Sequence, residues 1–330
     1  MLEIMGYKKI DGLMRHLRNH GISIAGSTQK RQLLNSGYYH GYKGYRFFHH
    51  AEKRIPFSSF EEIYFTIQYD TRLKTLFYPH MMFIETALKS IAITCILDIA
   101  GSESIQSMYD IAVSSYNNSP KDMENDKKRK LQERKLSLQS TIQTSLATAY
   151  KRGNPKITHF YNNMSYSGVP LWALFEILTM GDFGYLLSCL TYEARDAISK
   201  KVGIDLSTDT NRELIYKYVY AMKDLRNAIA HNEVIFDTRF RKIDPSKPMI
   251  ECLKKEIGLD YVNFKSIGDY VILVTYFLHL LKLPKKEIKA FLRDFQKIVD
   301  DYKTSVSTRV SSVVIHPNWT RRIKILRDYL

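Results

Sequence analysis

Nearly every long segment of this chain spaces its apolar residues three and four apart, as one face of a helix requires. The alternation that a half-buried strand needs is scarce. Residues 60–77 carry Phe60, Ile63, Tyr64, Ile67, Leu73, Leu76 and Phe77. A second run continues through Met82, Ile84, Leu88, Ile91, Cys95 and Ile96. Pro79 stands between them, without an N–H and in conflict with the preceding turn, so two helices or one kinked helix are expected. Residues 121–150 open on KDMENDKKRKLQERK and turn amphipathic through Leu136, Ile142 and Leu146. That pattern predicts a long charged helix projecting from the body and ending at Gly153-Asn154-Pro155. The block from Pro170 to about Leu190 is expected to be interrupted at Gly181 and Gly184. Thr210 and Glu213 have the spacing of a capping box, opening a helix with Leu214, Tyr218, Ala221, Leu225 and Ala228 as its core stripe. Arg239 to Pro248 reads as a loop. Asp269 or a neighbour opens an apolar helix, and Pro284 an amphipathic one through Ile288, Phe291, Leu292, Phe295 and Ile298. The fold class is all-α. With no repeat and no long polar linker, residues 1–330 read as one composite helical domain.

The formal charge of +15 is far from the usual balance. Phosphate-rich partners are favoured, because each Lys or Arg set against a phosphate releases condensed counterions. The excess is uneven. Residues 1–54 carry ten Lys/Arg against three acids, and residues 282–330 carry twelve against five. Cys95, Cys189 and Cys252 are isolated from one another, which suits a reducing cytoplasm and gives no zinc pattern. The N-terminus, MLEIMGYKKIDGL, lacks the apolar run of a signal peptide. The most apolar stretch, Tyr270 to Leu281, is too short for a bilayer, which takes about 20 residues. A cytoplasmic protein without a membrane partner is expected.

Among chemical signatures, G-x-G-x-x-G, G-x-x-x-x-G-K-[ST], H-E-x-x-H and G-x-S-x-G are all missing, so neither a small-molecule cofactor nor a metal is expected. Tyr38, Tyr39, Tyr42, Tyr45, Phe47 and Phe48 interleave with His40, Lys43, Arg46, His49 and His50. Rings among cations can stack bases and hold phosphates, and they can equally pack the segment onto its neighbours. Tyr39, Tyr42, Lys43 and Arg46 are the RNA-contact candidates here. The run Lys127-Lys128-Arg129-Lys130 is a second candidate, or simply a solvated helix face. Most pointed is Asp224-Leu225-Arg226-Asn227-Ala228-Ile229-Ala230-His231-Asn232. RNA cleavage without metal needs a base for the 2′-hydroxyl proton, an acid for the leaving 5′-oxygen, and fixed positive charge on the phosphorane. His231 suits the first two tasks, Arg226 the third, and Asn227 can orient either. Residues five apart on a helix lie about 140° apart, so Arg226 and His231 converge only if the helix ends or bends between them, or if two copies pool their residues.

These residues belong to a longer ordered pattern. It runs through Leu33-Leu34-Asn35-Ser36-Gly37-Tyr38-Tyr39-His40-Gly41-Tyr42-Lys43-Gly44-Tyr45, Tyr69 to Lys74, Ile84 to Lys89, Pro170 to Gly181, and Leu225 to His231. In this pattern the chain resembles the Abi-like (AbiD/AbiF) abortive-infection phage-resistance proteins. The resemblance implies a HEPN-type helical fold and a metal-independent endoribonuclease toxin. Arg226 and His231 would be catalytic, Asn227 their polar companion, and the site paired across a homodimer. The chain departs from the pattern at Asn232, where a second His is frequent. Trp172 is expected in the core, Glu176 as a buried hydrogen-bond partner, and Asp70 and Arg72 as supports of the site. Two other readings stay open. One is an RNA-binding module complexed with a small structured non-coding RNA, antitoxin or guide-like, with no cleavage of its own. The other is a protein scaffold. If six or more phosphates are contacted, RNA affinity falls on the order of a thousandfold between about 50 and 200 mM salt. Filter binding across that range checks this, and a flat profile favours the scaffold.

Overall fold

The computed structural model describes residues 9–242 and 244–330; most of the N-terminal stretch read above for a signal lies outside them. Helices α1 (Ile10–Asn19) and α2 (Gly26–Ser36) lead into a π-helical turn at Gly37–Lys43. Then come α3 (Phe60–Ala100), the short α4 (Ile105–Ser107) and a second π-helical turn, Met108–Ala112. The middle of the chain holds α5 (Asn125–Lys151), α6 (Pro155–Asn162), α7 (Leu171–Ile177), α8 (Met180–Cys189), α9 (Tyr192–Val202) and α10 (Leu214–Ala230). It closes with α11 (Lys247–Ile257), α12 (Ile267–Leu280), α13 (Lys285–Ser305), α14 (Thr308–Val314) and α15 (Trp319–Tyr329). The described residues form isolated β-bridges but no sheet, so the class is all-α.

Helix α3 is the axis of the molecule. Ser59 opens it, its side chain accepting from the N–H of Glu62, and Gly101 ends it in the left-handed conformation at φ 62°. Pro79 neither divides α3 nor sits in its packed face. Residue 79 faces solvent, where water can satisfy the carbonyl one turn back, while Phe77, Met81, Ile84 and Leu88 on the opposite face are fully buried. Against that face pack α7, α9, α10, α12 and α13.

Other expectations shift for local reasons. The break between α7 and α8 falls at Leu178-Thr179, not at the glycines, because Thr179 and Asp182 cap each other's backbone there. Gly184 instead lets α10 approach: a Cβ there would stand 3.0 Å from the Tyr220 ring. Only the first turns of α5 stand off the core. Its later turns bury Leu138, Ile142 and Leu146 against the body, and Arg134 donates to the Ser188 carbonyl at 2.7 Å. Thr210 and Glu213 form no capping box. Asp209 serves instead, its carboxylate accepting from the N–H groups of Glu213 and Leu214 at 2.7 and 3.1 Å.

The apolar helix α12 opens at Ser266 and is buried on every face through Leu278. Its one acid, Asp269, meets Arg322 of α15 at 2.7 Å. Burial raises the Asp269 carboxyl above its ordinary range, and Arg322 pulls against that rise. Among the described residues, no helix is long and apolar enough to cross a membrane.

Because Pro79 occupies an exposed position inside a continuous helix, Pro79→Ala is expected to stabilise the fold by about 1–3 kcal/mol. Urea unfolding would show a higher midpoint at unchanged slope. A lower midpoint would mean that the packing of α3 requires the proline.

A candidate functional site at the end of α10

Helix α10 ends in a closed turn that fixes everything beside it. His231 is its last helix-like residue, and its N–H still bonds to the Asn227 carbonyl at 2.9 Å. Asn232 then turns left-handed at φ 54°, donating its backbone N–H to the Ile229 carbonyl at 3.2 Å, while Glu233 donates to Ala228 at 2.8 Å. This is a Schellman closure, and Asn tolerates its left-handed position better than most residues. The helix stays regular up to His231, so the 140° separation of positions 226 and 231 stands.

Arg226 turns toward α3. Its Nε donates to Glu85 Oε2 at 3.3 Å and its Nη1 to Asn227 Oδ1 at 3.3 Å. Glu85 also receives Lys89 at 2.9 Å, and Lys89 donates to the Leu178 carbonyl at 2.7 Å. Both bonds to Arg226 are long, and a guanidinium has five N–H groups, so most of its capacity to hold an anion is unspent. The side chain is 33% exposed. His231 is exposed, and no hydrogen bond ties its ring.

Eleven residues before Glu85, roughly 16 Å along the same face of α3, lies a second polar cluster. Asp70 is fully buried and has four partners. Its Oδ1 accepts from the N–H groups of Ile235 and Phe236, both at 2.8 Å. Its Oδ2 accepts from Tyr45 Oη and Lys74 Nζ, again at 2.8 Å. Burial, with Asp70 beside it, pushes the Tyr45 hydroxyl well above its ordinary range, so it remains a donor. Lys74 donates onward to Asn232 Oδ1 at 2.8 Å, and Asn232 Nδ2 meets His40 Nε2 at 3.3 Å. The end of α10 and the π-helical turn are thereby fastened to one helix.

A further clamp holds the aromatic segment. Asp237 accepts the His49 N–H at 2.7 Å and pairs with Arg239, which donates to the Gly44 and Phe47 carbonyls at 2.6 and 2.8 Å. The Arg239 guanidinium lies 4.0 Å from the Phe47 ring centroid. The rings of residues 38–48 therefore serve mainly as packing. Tyr45 stacks on Phe236 with centroids 5.9 Å apart. Tyr42 is buried against Tyr38 and offers no face to a base. Tyr39 is 76% exposed with Lys43 Nζ 5.9 Å from its centroid, so these two remain available to a ligand. Arg46 is half-buried.

The other candidates lie elsewhere. Lys127 and Arg129 pair with Glu124, just before α5, and Asp126 within it, at 3.0 and 3.7 Å, and Lys128 donates to the Lys121 carbonyl. With the exposed Lys130 they form a solvated face at the start of α5. Arg72 takes no part in the network at the end of α10 and pairs instead with Asp301 of α13 at 2.8 Å. Trp172 is not core: it is half exposed, and its Nε1 donates to Glu103 at 3.1 Å. Glu176 is likewise exposed and pairs with Lys156. Lys74, Glu85 and His40 lie within the ordered sequence pattern, which gives them no role, since what marks them is burial or contact with residues more than 140 positions away.

Buried carboxylates on one long helix, tying down the end of a second helix that presents Arg and His, define the architecture of the site. The family profile described as Abi-like protein matches residues 31–237, and the chain belongs to that family, one of abortive-infection proteins. The matched stretch contains the whole polar network from His40 to Asp237; α11 to α15 lie beyond it and pack α12 and α13 onto α3. No curated protein and no solved structure gives a match.

Asp70→Ala is expected to destabilise the protein by about 3–5 kcal/mol, because Lys74 is left as an unpaired buried charge. Adding Lys74→Met should recover part of that loss, as urea unfolding of the single and double variants would reveal. Additive losses would mean that the pair is not coupled.

Proposed function

We propose that this protein is a metal-independent endoribonuclease of HEPN type that acts in abortive infection, cutting RNA at the end of α10. The observation that carries this reading is the state of the Arg226–His231 pair. A guanidinium held only by two long bonds and an imidazole held by none stand at an exposed helix end. In the step envisaged, the 2′-hydroxyl loses its proton, the 2′-oxygen attacks phosphorus, and the bond to the 5′-oxygen breaks. The leaving oxygen takes up a proton, giving a 2′,3′-cyclic phosphate and a 5′-hydroxyl. Arg226 binds the phosphate oxygens as negative charge builds, His231 exchanges protons with the reacting oxygens, and Asn227 steadies the guanidinium.

The regular phase of α10 favours a composite site. Arg226 faces α3 and His231 lies about 140° around the helix, so the two suit a cleft between copies better than a cleft within one. A homodimer about a two-fold axis would present the same patch twice. Two Arg226 side chains would repel each other across an empty cleft, and a bound phosphate would relieve that repulsion.

A second reading is favoured by a basic groove outside the family-matched residues. Lys285, Lys286, Lys289 and Arg293 of α13, with Arg327 of α15, line a groove of about 490 Å³ that has no carboxylate in its lining. Cations without aromatic neighbours suit the backbone of a folded RNA, which would restrain or guide the protein. A discrete small RNA that co-purifies with the protein would favour this reading.

The nuclease reading is tested by mixing Arg226→Ala and His231→Ala proteins, each expected to be inactive alone. Heterodimers should regain part of the RNA cleavage, and cleavage by the wild type should survive EDTA. Cleavage abolished by EDTA and restored by magnesium would sink the acid–base role of His231, and activity from a strict monomer would sink the composite site.

A further inference from the structure

A second imidazole stands against the end of α10. His40 comes from the π-helical turn 192 positions before Asn232 in the chain, yet its Nε2 lies 3.3 Å from the Asn232 carboxamide, on the residue after His231. The turn is built to place it. Gly37 enters at φ 75°, and Gly41 leaves room for Ser36, whose Oγ would lie 2.9 Å from any Cβ at position 41. The edge of the Tyr45 ring meets the imidazole with centroids 6.4 Å apart. The ring is otherwise exposed to solvent.

Its hydrogen-bonding state follows from the chain of groups behind it. Lys74 has only protons to give, so the Asn232 oxygen must face Lys74 and the Asn232 NH₂ must face His40. His40 Nε2 must then accept, which puts the ring proton on Nδ1. The series Asp70, Lys74, Asn232, His40 thus presents an imidazole whose Nε2 lone pair is engaged only by a long and replaceable amide contact. His231 has no such series behind it. His40 shares the Asn232 carboxamide with Lys74 of α3, the helix that Arg226 also meets at Glu85.

We propose that His40 is a catalytic residue of the cleft: the base that takes the 2′-hydroxyl proton, with His231 giving the proton to the leaving 5′-oxygen. The inference rests on the nuclease reading above and assigns the two proton-transfer roles within it. The 2′-hydroxyl displaces the Asn232 amide at His40 Nε2, and the proton moves to that nitrogen as the 2′-oxygen attacks phosphorus. His231, protonated beforehand, releases its proton as the bond to the 5′-oxygen breaks, so protons balance over the step. Asn232 is a positioning residue, acting only through the His40 ring. The titratable groups that the structure connects to His40 are Tyr45, whose ring edge meets the imidazole, and Lys74 and Asp70 of α3 through Asn232. Lys43 and Arg46 on its own segment and His231 and Glu233 beside Asn232 are its charged or titratable neighbours in the chain.

The test uses the full chain and a single-stranded RNA labelled at its 5′ end, with kcat and KM followed from pH 5 to 9. Two variants are made, each checked by its thermal midpoint. His40→Gln keeps a hydrogen-bonding group and removes the base; kcat is expected to fall about a hundredfold or more with KM within about twofold. The acidic limb of the profile, where the base becomes protonated, should flatten. Asn232→Gly keeps the left-handed turn and removes only the carboxamide. The amide N–H favours the unprotonated ring. Because that contact exists only before substrate binds, its loss should move the acidic limb of kcat/KM, and not that of kcat, to higher pH. Wild-type rates in His40→Gln, or a rise in KM alone, would overturn the proposal and leave the Arg226–His231 reading standing. Should His40→Gln lose its fold, an unmoved acidic limb of kcat/KM in Asn232→Gly overturns the proposal by itself. A wild-type protein that cleaves no RNA would instead bring down the nuclease reading, and this assignment with it.

Discussion

The buried carboxylate of Asp70 is the contact on which the rest of the site depends. A lone ionised acid at zero exposure would be prohibitively costly. Asp70 is tolerable because two backbone N–H groups, a tyrosine hydroxyl and an ammonium all converge on it. Those four donors come from three parts of the chain: the segment of the π-helical turn, α3 itself, and the strap of residues 233–239 that follows α10. An apolar residue at position 70 would leave the strap's N–H groups unpaired and Lys74 uncompensated, so burial here is specific as well as stabilising. Asp237 repeats the device a few residues later, using Arg239 to draw the loop of residues 44–49 onto the same strap.

This arrangement explains why α3 is so long. Its polar residues at 70, 74, 85 and 89 occur at intervals of four and eleven, which bring them to one side of the helix, among otherwise apolar neighbours. Two separate helices meeting at Pro79 would hold the Asp70–Lys74 and Glu85–Lys89 pairs on independent bodies. One continuous helix fixes their separation, and α10, packed alongside, takes its position from both. Arg226 meets the Glu85–Lys89 pair at Glu85, and Asn232 meets the Asp70–Lys74 pair at Lys74.

How much of this was legible beforehand follows from what each residue type can report. Helix periodicity is a local signal, and it placed α10, α12 and α13 well. The stop at the end of α10 was also written locally, since Asn after the last helical residue suits a left-handed turn. What failed depended on which face meets a neighbour. Trp172 looks like core by composition but caps an exposed contact with Glu103. Tyr42 looks like a stacking platform and is buried. Gly181 and Gly184 look like breakers, although Gly184 exists to admit Tyr220. Of the site, the Arg226–Asn227–His231 segment is visible as a string. Its partners Glu85, Lys74 and His40 are not, because only the tertiary fold makes them neighbours.

The same groups that hold the fold also set the chemistry available at the end of α10, and this limits how the site can vary. Lys74 is both the counterion that makes Asp70 affordable and the donor that orients the Asn232 carboxamide. A change at Lys74 therefore removes a structural ion pair and the orientation of a site residue together. Arg226 is different. Its partner Glu85 keeps Lys89 when the guanidinium leaves, so no buried acid is stranded when Arg226 swings onto a phosphate. The fold thus separates a rigid half, anchored on Asp70, from a half that can move. A cleft that must bind a flexible polyanion and still hold proton-transfer groups in register needs both, and one helix supplies them three turns apart.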